Sequence, residues 1–400
     1  MTDDQNHSKN WRAATQLVRG GTHRSEFHET SEGLFLTSGY AYDSAEQAQR
    51  AFKGEENVFM YSRYGNPTVA MFEERLALLE GANHCFATAS GMAAVYAALA
   101  TLLSAGDRIV ASRALFGSCH VVVSEILPRF GIETELVDGT NLKQWEKALS
   151  KPAKAVFLES PSNPTLEIID LKAVATLAHN AGAKLVIDNV FASPILQKPM
   201  ELGADIVVYS ATKHIDGQGR TMGGAVLTND TEYYEKQFIP FVRNTGPSLS
   251  PFNAWVMLKG LETLELRIRQ HCENAHDIAK HLENHKDITR VIYPGLKSHP
   301  QYELGQIQMK DSGTIIAFEV DGGQERAFRF LNALNLIDIS NNLGDAKSLI
   351  THPATTTHQR LGPEVRVAMN VTDSLVRISI GLEDPDDVKD DLDQALQKSK

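Results

Sequence analysis

Cysteine is scarce in this chain: Cys85, Cys119 and Cys272 are odd in number and far apart among 400 residues. That excludes a disulfide framework and offers no metal-ligand spacing, so the expectation is a reducing compartment and no metal. Basic charge is also short, with 39 Lys and Arg against 50 Asp and Glu and a formal net charge of −11. Such a balance disfavours nucleic acid or an anionic membrane as the main partner, and an anionic ligand would need a local source of positive charge. No uninterrupted apolar run reaches membrane-spanning length, and Met1 to Asn6 carry neither a basic flank nor an apolar stretch. The localisation expected from this is cytoplasmic. Internal repeats, low-complexity tracts and a Walker lysine motif are all missing. Gly217-Gln218-Gly219 is followed by Met222 where a dinucleotide fingerprint needs its third glycine.

What is present is an ordinary globular composition, 42% hydrophobic and 22% charged, long enough for two cores. Residues 1–60 are polar and irregular, with scattered apolar side chains such as Trp11, Phe27, Leu34, Phe35 and Leu36, and they read as an arm laid on another surface, that of a second subunit included. From 61 to 256, short apolar strands alternate with helical periodicity: strands at Asp107–Val110, Glu133–Val137, Ala155–Glu159, Lys184–Asn189 and Ile206–Tyr209, helices at Val69–Leu79, Ala93–Leu103, His120–Phe130, Leu142–Leu149 and Leu171–Asn180. The alternation predicts an α/β fold with a mostly parallel sheet and a ligand at the carboxyl ends of its strands. A helical pattern over Ala254–Leu282 leads into residues 257–400, where strands and helices mix as in a smaller α+β domain.

The chemistry gathers at strand ends. Ile206–Tyr209 runs into Ser210-Ala211-Thr212-Lys213, and a lysine at a buried strand end has its pKa lowered by desolvation, which makes it a usable amine. Ser210 and Thr212 can donate to an anion beside it. The neighbouring strand pattern ends in Asp188, a carboxylate that suits a cationic ring nitrogen. Pyridoxal phosphate needs both partners, an acid for its ring and a lysine for its aldehyde. Ser90-Gly91-Met92 opens an alanine-rich helix with small residues, a second place for a phosphate. Tyr61 and Arg63 sit in a turn-rich loop and can both donate to phosphate, Phe116 can stack on a flat ring, and Asn163 lies just past a strand end. Arg377, inside a short β-rich run, is costly unless it meets a carboxylate. His352 and His358 have no metal-binding partners nearby in sequence and read as loop structure.

Taken together, Tyr61-Ser62-Arg63-Tyr64-Gly65-Asn66-Pro67-Thr68, Ser210-Ala211-Thr212-Lys213-His214 and Ser374-Leu375-Val376-Arg377-Ile378-Ser379 resemble the pyridoxal-phosphate enzymes of cysteine and methionine metabolism, over nearly the whole chain. That resemblance implies fold type I of the PLP-dependent transferases, with a seven-stranded sheet in the large domain, and a homotetramer of two dimers with active sites shared between subunits. It also implies that Lys213 bonds the cofactor aldehyde, that Asp188 pairs with the pyridine nitrogen, and that Gly91, Met92, Ser210 and Thr212 bind the phosphate. Tyr61 and Arg63 would enter from the neighbouring subunit, while Arg377, with Asn163 and Asn342 nearby, would hold the substrate. Phe116 stands where most members have a tyrosine, which leaves proton work to Lys213 or Tyr61. The stretch Asn341-Asn342-Leu343-Gly344-Asp345-Ala346-Lys347-Ser348-Leu349, together with Leu115-Phe116-Gly117-Ser118, looks most like the O-succinylhomoserine sulfhydrylases. The expected reaction is γ-replacement on O-succinyl-L-homoserine by sulfide, with cystathionine γ-synthase or a cystathionine or methionine γ-lyase as the alternative, and a non-catalytic relative as a reading from another class.

Overall fold

The computed structural model describes residues 10–400; the reading of Met1 to Asn6 lies outside the described residues. Seven strands form the larger sheet: β1 (His84–Thr88), β2 (Arg108–Ser112), β3 (Glu133–Val137), β4 (Ala155–Glu159), β5 (Lys184–Asp188), β6 (Ile206–Ser210) and β7 (Gly224–Thr228). Their spatial order is β1-β7-β6-β5-β4-β2-β3, with β7 antiparallel to both neighbours and the remaining pairs parallel. The reason is in the side chains. β2, β4 and β7 are buried along their whole length, as strands covered by helices on both faces must be, and their sequences are apolar runs rather than alternations. One core lies on each face of this sheet, with Leu158, Leu185 and Val207 on one side and Phe157, Val186 and Val208 on the other.

A second sheet, ordered β10-β11-β12-β9-β8, is built from β8 (Ile288–Ile292), β9 (Ile315–Val320), β10 (Asp338–Ile339), β11 (Leu349–Thr351) and β12 (Leu375–Ser379). It has a core of its own around Phe318, Phe330 and Ile378. The single helix anticipated over Ala254–Leu282 is instead two, Pro251–Glu262 and Leu264–Glu283, because Thr263 adopts φ −112° and ψ 5° and breaks the ladder between them. The segment anticipated as the helix His120–Phe130 starts earlier, at Gly117, and passes through a π turn and a 3-10 turn that ends at Gly131 with φ 76°. Its Pro128 lacks the N–H that a continuous helix would use.

The amino-terminal segment is less irregular than its composition suggests, since Ala13–Arg19 and Ala45–Lys53 are helical. It is tied down by charge. Arg75, fully buried in the helix Pro67–Glu80, donates to the Gly20 carbonyl at 2.7 Å and to Glu32, which also pairs with Lys259. Burial alone would raise the Glu32 pKa, but Lys259 and Arg75 outweigh it and hold the carboxyl down at about 2. A carboxyl held below its unfolded value contributes stability above about pH 4.5 and loses it as pH falls towards 2. Glu32→Ala is therefore expected to cost about 3–5 kcal/mol at pH 7, because it strands the buried Arg75 charge. Denaturant midpoints at pH 7 and pH 3 should show the deficit shrinking in acid; an equal deficit at both would contradict the assignment.

Candidate active site

The parallel strands deliver their last residues to one place. β4 ends in Glu159, β5 in Asp188 and β6 in Ser210, and the chain after β6 turns at once through Thr212 to Lys213. β1 ends at Thr88, from which Ser90 caps the helix Gly91–Leu102 by accepting a hydrogen bond from the Ala93 N–H at 3.2 Å. The first amides of that helix, those of Gly91 and Met92, have no acceptor within the helix itself. Gly91 must be glycine here, because an added Cβ would lie 2.6 Å from the Ser210 Cβ. The close approach brings the helix start against Ser210, at the end of β6, with Thr212 two residues further on.

These residues surround a cavity of about 240 Å³. Lys213, Asp188, Ser210 and Thr212 line it together with Gly91 and Met92, and so do Phe116, Asn163 and Arg377. Asn342 reaches it through the lysine, whose Nζ donates to Asn342 Oδ1 at 2.5 Å. Burial lowers the Lys213 pKa to about 8, with the charge on Arg377 adding to the effect, so a neutral amine is within reach near neutral pH. Thr212 Oγ1 is held by the Gly223 backbone, donating to its carbonyl at 3.2 Å and lying 3.1 Å from its N–H.

Arg377, on β12, brings the second sheet to the first. It donates to Asn163 Oδ1 at 2.9 Å and to the Asn341 carbonyl at 3.0 Å, while its buried Nε has no partner. The carboxylate that its sequence position called for is not among these protein partners, so the guanidinium has unused capacity for an incoming acid. Burial lowers its pKa to about 10.

Two acids lie side by side at the other end. The parallel register pairs Glu159 with Asp188, and their oxygens and the Cys119 sulfur all lie within 4.8 Å of one another. Desolvation raises the Asp188 pKa to about 7, opposed by the Val190 N–H, which donates to it at 3.0 Å. Glu159 is pushed up further, by burial and then by the Asp188 charge, and it accepts from the Phe116 N–H at 2.7 Å. Sequence reading gave Glu159 no role. The signal for it was two adjacent strands ending in an acid, but the pairing that makes them neighbours is a property of the sheet.

Tyr61 and Arg63 lie outside this cavity in the chain. Arg63 donates to the Arg243 carbonyl and stacks over the Tyr64 ring at 4.7 Å, and the Tyr61 ring meets Tyr64 edge-on with centroids 5.8 Å apart. His352 and His358 are buried and do not line the cavity, His352 being held by the Asp373 carbonyl at 2.9 Å.

The site fits pyridoxal phosphate on its own donor set: an amine of lowered pKa, an acid raised for want of a cation, and hydroxyls beside a helix start that only glycine permits. The comparisons agree. The chain matches the family model described as Cys/Met metabolism PLP-dependent enzyme over residues 14–397. It is 58% identical over 387 residues to the O-succinylhomoserine sulfhydrylase of Mycobacterium tuberculosis, covering 96% of this chain and 95% of that one. The Pseudomonas aeruginosa enzyme of the same name is 47% identical over 382 residues, covering 96% and 94%. A solved cystathionine gamma synthase from Xanthomonas oryzae pv. oryzae, in complex with cystathionine, superposes with a TM-score of 0.93 at 35% identity, covering 97% of this chain and 98% of that chain.

Proposed function

The chain belongs to the Cys/Met metabolism PLP-dependent enzymes, and on that footing we propose that it makes L-homocysteine and succinate from O-succinyl-L-homoserine and sulfide. The observation that carries the reaction is the meeting of Lys213, Asp188 and Arg377 in one cavity, and the two sulfhydrylase relatives support the choice of substrate. Lys213 would hold the cofactor aldehyde, Asp188 the ring nitrogen, and Ser210, Thr212 and the Gly91 and Met92 amides the phosphate, with Phe116 against the ring. Pyridoxal phosphate supplies, when bound, a carbonyl that captures the substrate amine and a ring that withdraws electrons from Cα.

The rest falls to the chain. Arg377, with two of its nitrogens already fixed by Asn163 and the Asn341 carbonyl, binds and orients the substrate α-carboxylate through its remaining capacity. Lys213, neutral in part near pH 8, takes protons from Cα and Cβ and returns them as succinate leaves Cγ and sulfide adds there. Asn342 fixes the lysine's Nζ between these transfers. With Phe116 in the wall in place of a phenol, proton work stays with Lys213 or with Tyr61.

The same reading places Tyr61 and Arg63 in a neighbouring subunit's site within a homotetramer. Their position outside this chain's own cavity is consistent with that, and so are exposed apolar residues of the amino-terminal segment such as Phe27 and Leu36. The division into an arm (1–60), a cofactor-binding domain (61–256) and a smaller domain (257–400) is supported by two sheets with separate cores. A cytoplasmic location is favoured by three unpaired buried cysteines; among the described residues no helix is long and apolar enough to cross a membrane. The test is product analysis of cofactor-loaded protein. Homocysteine from the succinyl ester and sulfide supports the reading. Cystathionine as the main product with cysteine, or 2-oxobutyrate from cystathionine or methionine alone, would replace it with a synthase or a lyase.

A further inference from the structure

A second space adjoins the catalytic cavity. This open hollow of about 800 Å³ shares Met92, Phe116 and Asn341 with it, so the two spaces adjoin at the Phe116 wall. One side of the hollow is the turn at Gly117 and Ser118, and the other is the loop Thr356–Leu361. The two sides are in contact at Gly117, where an added Cβ would run into the Thr357 carbonyl oxygen.

Arg360 is the one charged residue in the lining of this hollow, which holds no acid. It is exposed, and among the described residues its guanidinium has neither a hydrogen-bond partner nor an ion pair. The side chains of Ser118 and Gln359, in the same lining, are likewise unpaired among the described residues. The chain carries a net charge of −11, and arginines such as Arg75 and Arg108 are paired with carboxylates, whereas Arg360 has none beside it in the lining. An unpaired fork of N–H donors in an acid-free recess has the geometry to take a carboxylate on two parallel hydrogen bonds. Val121 and Ile126 give the hollow an apolar flank suited to a short methylene chain.

We propose that this hollow receives the acyl part of the substrate, with the free carboxylate of a dicarboxylic half-ester paired to Arg360 and hydrogen-bonded by Ser118 or Gln359. This deepens the γ-replacement reading and rests on it. Such a substrate carries two carboxylates, and the adjoining spaces offer one arginine without a carboxylate partner for each, Arg377 inside and Arg360 outside, while Lys213 is kept for proton transfer. Arg360 is then the residue that separates a succinyl ester from an acetyl ester, which lacks the second charge.

The experiment compares holoenzyme carrying wild-type Arg360, Arg360→Gln and Arg360→Lys, with O-succinyl- and O-acetyl-L-homoserine and sulfide. Arg360→Gln is expected to lower the ratio of kcat/KM for the succinyl over the acetyl ester about tenfold, through KM rather than kcat, and Arg360→Lys to restore part of it. Succinate is titrated into the same holoenzymes by calorimetry, a readout independent of turnover, and should bind about tenfold more weakly to Arg360→Gln. An unchanged ester ratio with unchanged succinate affinity overturns the assignment of Arg360. A wild-type holoenzyme that ignores the succinyl ester overturns the functional reading instead, and the succinate titration then still decides whether Arg360 holds a dicarboxylate.

Discussion

Lys213→Ala is expected to lower turnover of O-succinyl-L-homoserine and sulfide by at least about 10⁴-fold, because in the proposed reaction one side chain both anchors the cofactor and moves the proton at Cα. Its surroundings are arranged for that work. Burial and the charge on Arg377 bring the amine to about pH 8, and Asn342 holds it at 2.5 Å without neutralising it as a carboxylate would. Lys213→Arg should fail almost as completely, since a guanidinium keeps the charge but gives up neither a nucleophile nor a proton near neutral pH. Gly91, Ser210 and Thr212, proposed to cradle the phosphate, are untouched in both variants, so weak cofactor binding should survive while retention through dialysis is lost. Steady turnover by either variant, or cofactor absorbance that resists dialysis as in the wild type, would sink the role given to Lys213.

Asp188→Asn should lower kcat by about 10²–10³-fold, the scale on which a single preorganised charge acts in a buried site. The variant also carries a signature in stability that activity alone would not reveal. In the chain without cofactor, desolvation raises the Asp188 pKa to about 7, against an ordinary value of 3.8. An acid whose folded pKa lies above its unfolded value loses stability as pH rises through that interval, because the unfolded state gives up the proton first. Cofactor-free Asp188→Asn is therefore expected to melt higher than cofactor-free wild type at pH 8, with the gap closing towards pH 4. Adding pyridoxal phosphate should reverse the order of gain. A cationic ring nitrogen gives the wild-type carboxylate its missing partner, so the cofactor-induced rise in melting temperature should be larger for wild type than for the variant. Equal rises would mean that Asp188 does not face the ring.

The neighbouring acid makes this sharper. Glu159 is buried where Asp188 is half-buried, and desolvation and then the Asp188 charge push its pKa up, so the pair favours holding a proton and leaves room for one cation. The Phe116 N–H donates to Glu159 and thereby links the Phe116 wall of the cavity to the acid pair.

The parts of this site that could be read from sequence are those that depend on local pattern. Apolar runs that stop at Asp188 and at Ser210 to Lys213 announce strand ends, and strand ends of a parallel sheet share an edge. The small residues before the helix Gly91–Leu102 announce a close approach, which Gly91 and Ser210 make. What could not be read depends on register and on distant loops. Glu159 becomes a partner of Asp188 only through the β4–β5 pairing, and Asn342 reaches Lys213 across 129 residues. Arg377 was expected to need a carboxylate, yet its protein partners are an amide and backbone carbonyls, a result that depends on how the second sheet docks on the first. The break at Thr263 was hidden for the opposite reason, since helical periodicity runs on through it and one residue's backbone angles decide.

The most direct measurement is the stoichiometry of a single reaction: cofactor-loaded protein, O-succinyl-L-homoserine and excess sulfide, with homocysteine, succinate and 2-oxobutyrate quantified together. Homocysteine and succinate appearing in equal amounts, with 2-oxobutyrate at trace levels, is the predicted result. Succinate matched by 2-oxobutyrate, with little homocysteine, would contradict the account, because the same cavity would then be eliminating at Cγ rather than joining sulfur to it.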